Sequence, residues 1–234
     1  RLNQSKFNLL TRGSLAMLLT HKSVTDIIMA NPRNQRRKED RPAEITAAAM
    51  HTFAEKGFAA TKVADVAKRA GVSKGLLYLY FKTKEDLFKA VVRSFIFPMI
   101  ENLTDTVENT DLGAEEFIRG PLLKFAKSVP NSPARFLVRL LVAEGPKHPD
   151  LVTWYWENVA SKGIGAIRTV VKKGVESGEF RSNAFTELPH IFATPVIFSI
   201  LWKILFEEHD SLDTDKLIEE HFELILSSIR KNAS

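Results

Sequence analysis

The sequence predicts an all-α protein, in which an N-terminal three-helix domain containing a helix-turn-helix precedes a larger helical domain. Residues 61–88 divide into two short helices joined by a tight turn, with a further helix directly behind them. Beyond residue 110, stretches with helical periodicity alternate with short clusters rich in Gly, Pro, Asn and Ser. The alternation of β-branched residues that is typical of strands is missing throughout the 234 residues.

Local signals set the bounds of the first helices. Pro42 suits the first turn of a helix, and Gly57 is expected to end that helix. Thr61 is the expected N-cap of the second helix. Gly71 is expected to end the second helix in the left-handed conformation, at the turn of the helix-turn-helix.

The third and fourth helices have caps of their own. Ser73 can cap the third helix, and Thr83 begins a Thr-Lys-Glu-Asp sequence that suits the start of the fourth. Apolar residues continue the fourth helix to Leu103, with a kink expected at Pro98. Later helices are predicted over 114–128, 133–144, 149–177, 185–209 and 213–231. About nine helices are therefore expected.

Positive charge is concentrated near the N-terminus. The whole chain has a formal net charge of +5, but residues 31–89 carry +6 and residues 90–234 carry −4. A basic part beside a mildly acidic part is expected when one end of a protein binds the phosphates of nucleic acid and the other end binds a different partner. We predict a flexible or extension segment with a basic arm over 1–38, a helix-turn-helix DNA-binding domain over 39–88, and a larger domain over 89–234.

Several kinds of protein are disfavoured by composition. The chain has no cysteine, and so no disulfide, thiolate metal site or cysteine nucleophile. No apolar run reaches the roughly 18 residues that a membrane-spanning helix needs, and no signal peptide is predicted. A cytoplasmic protein is therefore expected. Residues 1–28 are interpreted as an extension upstream of a natural start at Met29.

Three stretches of the N-terminal part together resemble one known family. They are residues 45–58, 61–67 and 71–88. Their pattern is similar to the DNA-binding domain of the TetR family of transcriptional regulators. Leu79 stands where many members have an aromatic residue, and Tyr80 where histidine is frequent.

The resemblance implies a homodimer whose two recognition helices enter successive major grooves of a palindromic operator in double-stranded DNA. It also implies a repressor that leaves the operator when a small molecule binds in the C-terminal domain and spreads the DNA-binding domains apart. C-terminal domains differ greatly in this family, so the effector is not carried over. The many aromatic residues of the C-terminal part predict an apolar or aromatic effector.

Candidate DNA contacts lie in and around the third helix. Lys74 and Gly75 follow its cap, and the resemblance places both at positions that touch DNA. Tyr78 and Tyr80 have hydroxyl groups that can donate to phosphate. The further candidates for contact with the DNA backbone are Thr61, Lys62, Ser73 and Lys84. The alternatives are that the lysines are merely solvated and that one of the tyrosines belongs to the core.

A basic run precedes these helices, at Arg33, Arg36, Arg37 and Lys38. Such an arm can lie along the minor groove of DNA. It can also be a solubilising tail, and the sequence does not separate the two interpretations.

The C-terminal part contains candidates for two further surfaces. Effector contacts are predicted at Phe95, Met99, Phe125, Trp154, Asn158 and Phe192, each of which could instead be ordinary core. The last two helices have wide apolar faces and are predicted to form a four-helix dimer interface. The alternative is that these faces are buried within one subunit.

An enzyme is not expected. Glu187 and His190 form a single E-x-x-H, whereas a di-iron bundle needs two together with further glutamates. No catalytic residue, metal site or cofactor is therefore predicted. A second function stays open, that of an architectural or adaptor DNA-binding protein whose C-terminal domain only dimerises or docks a protein. Such a protein would have a fully packed interior, whereas a ligand-responsive regulator would enclose a cavity.

Overall fold

The computed structural model describes residues 32–231, with side chains described from residue 41 onwards. Contacts within the chain divide it into two units, residues 1–44 and 45–234. The predicted extension over 1–28 lies outside the described residues, and so do the side chains of the basic arm. The cores and sites described below belong to the second unit.

The described residues confirm the all-α prediction, with an isolated bridge between Phe180 and Arg230 besides the helices and turns. The first five helices are α1 (Pro32–Ala60), α2 (Val63–Arg69), α3 (Lys74–Tyr80), α4 (Lys84–Phe95) and α5 (Phe97–Glu108). Helix α1 begins earlier than the Pro42 signal predicts. Pro32 suits a first helical turn equally well, and the charged residues between the two prolines are mostly good helix formers.

The later helices are shorter and more numerous than predicted. They are α6 (Ala114–Phe117), α7 (Leu123–Ser128), α8 (Ala134–Glu144), α9 (Pro149–Tyr155), α10 (Ser161–Ser177), α11 (Ala184–Glu187), α12 (His190–Leu205) and α13 (Thr214–Ile229). A π-helical turn, Ile118–Leu122, joins α6 to α7, and a second, Trp156–Ala160, joins α9 to α10. The predicted helix over 185–209 is divided at Pro189, because proline cannot continue the first segment.

Most of the predicted start and stop signals are confirmed. Gly57 and Gly71 have positive φ angles of 75° and 64°. The Ser73 hydroxyl oxygen accepts a hydrogen bond from the backbone N–H of Leu76 at 3.1 Å. Thr83 and Asp86 exchange side-chain to backbone hydrogen bonds, each 3.0 Å long, at the start of α4.

The predicted cap of α2 is wrong. The N-cap is Lys62, and Thr61 is buried in front of it. The Thr61 hydroxyl donates to the carbonyl of Gly57 at 2.6 Å, and it lies 3.4 Å from that of Thr52. This threonine therefore secures the end of α1, because carbonyl groups left unpaired at the end of a helix attract a nearby donor.

The expected kink at Pro98 is a complete break. Helix α4 ends at Phe95 and α5 begins at Phe97, which places Pro98 in the first turn of α5. A proline disfavours helical geometry at the residue before it but needs no hydrogen bond in a first turn, so the position suits it.

Two apolar cores hold the second unit together. The first contains buried residues of α1 to α5 together with residues from α8, α9 and the second π-helical turn, among them Phe58, Leu77 and Phe88. The second core joins α5, α6, α7, α10, α12 and α13. The predicted boundary at residue 88 is not tested by these contacts and stays a prediction.

Helix α10 packs so closely against its surroundings that one of its residues must be glycine. A Cβ atom on Gly174 would lie 2.2 Å from the ring of Phe180 and 2.8 Å from Cβ of Ala114. Both neighbours are buried, so neither can move away freely.

We expect Gly174→Ala to lower the free energy of unfolding by about 1–3 kcal/mol, because the added methyl group overpacks the core. Gly165→Ala in the same helix is the control, since no atom lies within 4 Å of its added Cβ. The control should be stabilised by about 0.5–1 kcal/mol, as alanine is the better helix former. Denaturant unfolding measures both, and equal stabilities would contradict the packing argument.

Candidate nucleic-acid interface and internal cavity

Helix α3 has one narrow buried side and a broad exposed one. Leu77 is fully buried in the first core, whereas Lys74, Gly75, Tyr78 and Tyr80 are exposed. Gly71 makes the turn before the helix, and the N–H of Val72 donates to the carbonyl of Ala67 at 3.0 Å. The geometry is that of a helix-turn-helix, with the second helix open to solvent.

The exposed side of α3 combines aromatic, cationic and aliphatic groups. The Lys74 ammonium group lies 5.8 Å from the centre of the Tyr78 ring, one helical turn away. Tyr78 and Tyr80 are each 37% exposed, so neither is a core residue. Leu79 between them is 72% exposed, and sequence reasoning did not select it. An apolar side chain there suits contact with a thymine methyl group.

Lys62 and Thr61 differ in what they present to solvent. Lys62 is exposed, and its backbone N–H donates to the carboxylate of Asp65 at 3.2 Å. The hydrogen bond from the Lys56 side chain, with that from the backbone of Lys62, lowers the pKa of Asp65. Thr61 is buried, and its hydroxyl donates to the carbonyl of Gly57 in α1. Its side chain is therefore not on the exposed surface around α3.

Lys84 is turned inward, contrary to its selection as a backbone contact. Its ammonium group donates to the carbonyls of Phe58 and Ala59 at 2.6 and 3.2 Å. The same group lies 4.4 Å from the centre of the Phe58 ring. A cation near the carbonyl end of a helix is favourable, so Lys84 stabilises the end of α1.

The loop between α8 and α9 also reaches Phe58. The ring of His148 in this loop lies 5.1 Å from the Phe58 ring in an edge-on arrangement of 82°. His148 Nδ1 is 3.8 Å from a carboxylate oxygen of Glu85 in α4. The loop is therefore in contact with the end of α1 and with the start of α4.

A cavity of about 830 Å³ lies in the C-terminal part, between α5, α7, α8, α9, α10 and α12. Of the predicted effector contacts, Met99, Phe125 and Phe192 line it. Its 29 lining residues include only four with a nitrogen or oxygen atom in the side chain, namely Tyr155, Trp156, His190 and Thr194. None of the 29 is Asp, Glu, Lys or Arg.

The other predicted effector contacts, Phe95, Trp154 and Asn158, do not line the cavity. Phe95 packs against the first core. Trp154 stacks on Phe97, with ring centres 6.0 Å apart. The Asn158 side-chain amide donates to the carbonyl of Trp154 at 2.8 Å, within its own helical segment.

Tyr155 and Trp156 line the cavity where Trp154 and Asn158 were expected to do so. A π-helical turn holds one residue more than an α-turn, so the turn at Trp156–Ala160 changes which side chains share a face. Burial raises the pKa of Tyr155 to about 12, which keeps its phenol neutral. Among the described residues its hydroxyl makes no hydrogen bond.

Two further features are absent from the described part of the chain. No group of three or more His, Cys, Asp or Glu side chains within residues 32–231 could hold a metal ion. None of the helices described is long and apolar enough to cross a membrane.

Comparisons with known proteins add to this geometry. Residues 45–91 match the family described as bacterial regulatory proteins of the tetR family. The HTH-type transcriptional repressor KstR2 of Mycobacterium tuberculosis is 24% identical over 196 residues, which cover 82% of this chain and 94% of that protein.

Solved structures share the fold. The SmeT–triclosan complex has a TM-score of 0.69 at 17% identity, and the match covers 82% of this chain and 93% of that chain. The transcriptional regulator FadR from Bacillus subtilis in complex with stearoyl-CoA has a TM-score of 0.63 at 20% identity, covering 80% and 99%. At these identities the likeness shows the fold alone.

Proposed function

We propose a function for this chain as a member of the TetR family of DNA-binding transcriptional regulators, to which it belongs, as its sequence predicts. It represses transcription from a palindromic operator. It leaves this operator when a small molecule fills the cavity. The family is not one of enzymes, which confirms the prediction that the chain is not an enzyme. We place the protein in the cytoplasm, together with its DNA partner. The observation that carries the proposal is a cavity of about 830 Å³ in a chain whose helix-turn-helix has an exposed second helix.

The DNA-facing surface in this proposal is the exposed side of α3 with its flanks. Lys74 and Tyr78, one helical turn apart, contact phosphate, and Tyr80 at the end of α3 is a further phosphate contact. Leu79 contacts bases, while Gly75 has open space around it that allows the DNA backbone to come close. The flanking contacts are made by Lys62 and Ser73, which are both exposed.

The cavity supports one of the two functions left open by the sequence. An architectural or adaptor protein needs no internal space, whereas a cavity of this volume suits a small-molecule ligand. SmeT and FadR, which share the fold, have been solved with triclosan and stearoyl-CoA. These observations support a ligand-responsive regulator whose effector is predominantly apolar.

Two parts of the structure lie between the cavity and the helix-turn-helix. They are the junction of α4 and α5 and the contact of His148 with Phe58. Ile96 and Met99, at the junction of α4 and α5, line the cavity, and α4 places Phe88 and Val91 in the first core beside α3. A ligand that displaces either part favours a spacing of the recognition helices that no longer matches the operator, which needs only a few kcal/mol of differential binding.

The homodimer in this proposal uses the exposed apolar side of α12 and α13. Phe198, Leu205 and Leu224 are 45%, 60% and 64% exposed. Other apolar residues of α12 and α13 are already buried within the subunit, namely Pro195, Ile200, Ile218, Phe222, Ile225 and Ile229. Exposed apolar side chains on adjoining helices are typical of a surface that meets a partner.

We expect Lys74→Ala and Tyr78→Ala each to weaken operator binding at least tenfold while leaving the dimer intact, because both side chains lie on the exposed side of α3. Loss of the Lys74 charge should also reduce the salt dependence of binding by about one counterion. The operator is first obtained by selecting bound sequences from random DNA. Fluorescence anisotropy at several salt concentrations then measures affinity, and light scattering measures the dimer.

Lys172→Ala is the matched control for these variants, since Lys172 is an exposed lysine of α10, far along the chain from α3. Its operator affinity should equal that of the parent protein. Parent-like affinity in both α3 variants would refute the assignment of α3 as the recognition helix.

We expect His148→Ala to bind the operator normally but to need several-fold more effector for half-release, because the loop contact with Phe58 is lost. The effector used is the first compound that releases the operator in a metabolite panel. His209→Ala, in the loop between α12 and α13, is the control. An unchanged effector response in His148→Ala would show that the loop does not carry the signal.

A further inference from the structure

The chemistry of the cavity wall points to a specific class of ligand. We propose that the effector is an uncharged, largely hydrocarbon molecule with a single hydrogen-bonding group, and that neither a free carboxylate nor a CoA thioester fits the site. This inference rests on the proposed function, since it assumes that the cavity is the effector site.

No permanently charged side chain lines the cavity, and His190 is the one lining residue that can become a cation. None of its 29 lining residues is Lys or Arg, and only four have a polar side-chain atom. The Thr194 hydroxyl lies 3.3 Å from the backbone carbonyl of His190. It can donate its proton to this carbonyl, and that proton is then not available to a ligand. Moving a carboxylate from water into such surroundings is strongly unfavourable without a paired cation.

The mouth of the cavity is largely apolar, with the exposed His190 and Thr194 as its polar lining residues. Five lining residues with large apolar side chains are between 42% and 63% exposed, namely Val142, Val152, Trp156, Ile197 and Phe198. A ligand with its tail inside and an anionic head outside would place that head against these side chains. These apolar side chains of the rim therefore disfavour a charged head group, as the interior does.

Three basic side chains of α4 and α10 lie near aromatic rings outside the cavity. Lys89 and Arg93 of α4 lie 5.7 and 5.2 Å from the centre of the Trp154 ring. Lys162 of α10 lies 5.6 Å from the centre of the Phe97 ring. Neither ring belongs to the cavity wall, and these cations interact with the aromatic pair outside it.

Tyr155 is the proposed anchor for the single polar group. It lines the cavity, and burial keeps its phenol neutral and able to donate or accept one hydrogen bond. No described residue is hydrogen-bonded to its hydroxyl. An alcohol, ketone or ester group on the ligand would complete this bond.

The test compares ligands that differ only at one end. Hexadecanol, hexadecanoate and hexadecanoyl-CoA, and a steroid ketone with its carboxylate analogue, compete with the neutral dye Nile red for the full-length protein. We expect each neutral compound to bind at least about tenfold more tightly than its charged counterpart. Tyr155→Phe should weaken binding of the alcohol about threefold to tenfold. The same variant should leave binding of hexadecane unchanged.

Asn158→Ala is the matched control, because Asn158 lies one helical turn from Tyr155 without lining the cavity. It should bind the alcohol as the parent protein does. The inference is overturned if a carboxylate or a CoA thioester binds as tightly as its neutral partner, or if every neutral compound binds more weakly than about 100 μM. Neutral ligands that bind without releasing the operator would support the ligand class and refute the proposed regulation.

Discussion

The packing of Phe58 is the contact on which the rest of the molecule depends. This residue lies just after the break in α1 and is 1% exposed. The centre of its ring lies 6.1 Å from that of Phe88 in α4 and 5.1 Å from that of His148. The Lys84 ammonium group donates a hydrogen bond to its backbone carbonyl. One aromatic side chain thus contacts α4 and the loop between α8 and α9, two helices that line the cavity.

Features governed by neighbouring residues were predictable from the sequence. The Ser73 cap, the reciprocal pair of Thr83 and Asp86, and the glycine turn at Gly71 all depend on groups within a few positions of each other. The exposed side of α3 was predictable for the same reason, since a seven-residue helix with a single buried leucine leaves its other faces free. Leu79 was missed because an isolated apolar residue gives no signal of exposure.

Features set by packing between distant residues could not be predicted. Thr61 has the right residue type for a cap, but the end of α1 provides carbonyl groups that compete for its hydroxyl. Lys84 is drawn inward by the same helix end, 26 residues away in sequence. Trp154 was expected in the cavity because aromatic residues suggest an apolar pocket. Its ring stacks on Phe97 instead, and its neighbour Tyr155 lines the cavity.

Helix α12 belongs to two surfaces at once. Ile197 and Phe198 line the cavity and are each 45% exposed on the helix proposed for dimerisation. If a second subunit covers this helix, whatever enters the cavity alters the strength of subunit association, and association alters ligand affinity by the same factor. The apparent ligand affinity would then vary with protein concentration, so a dilute sample and a concentrated one would give different saturation curves.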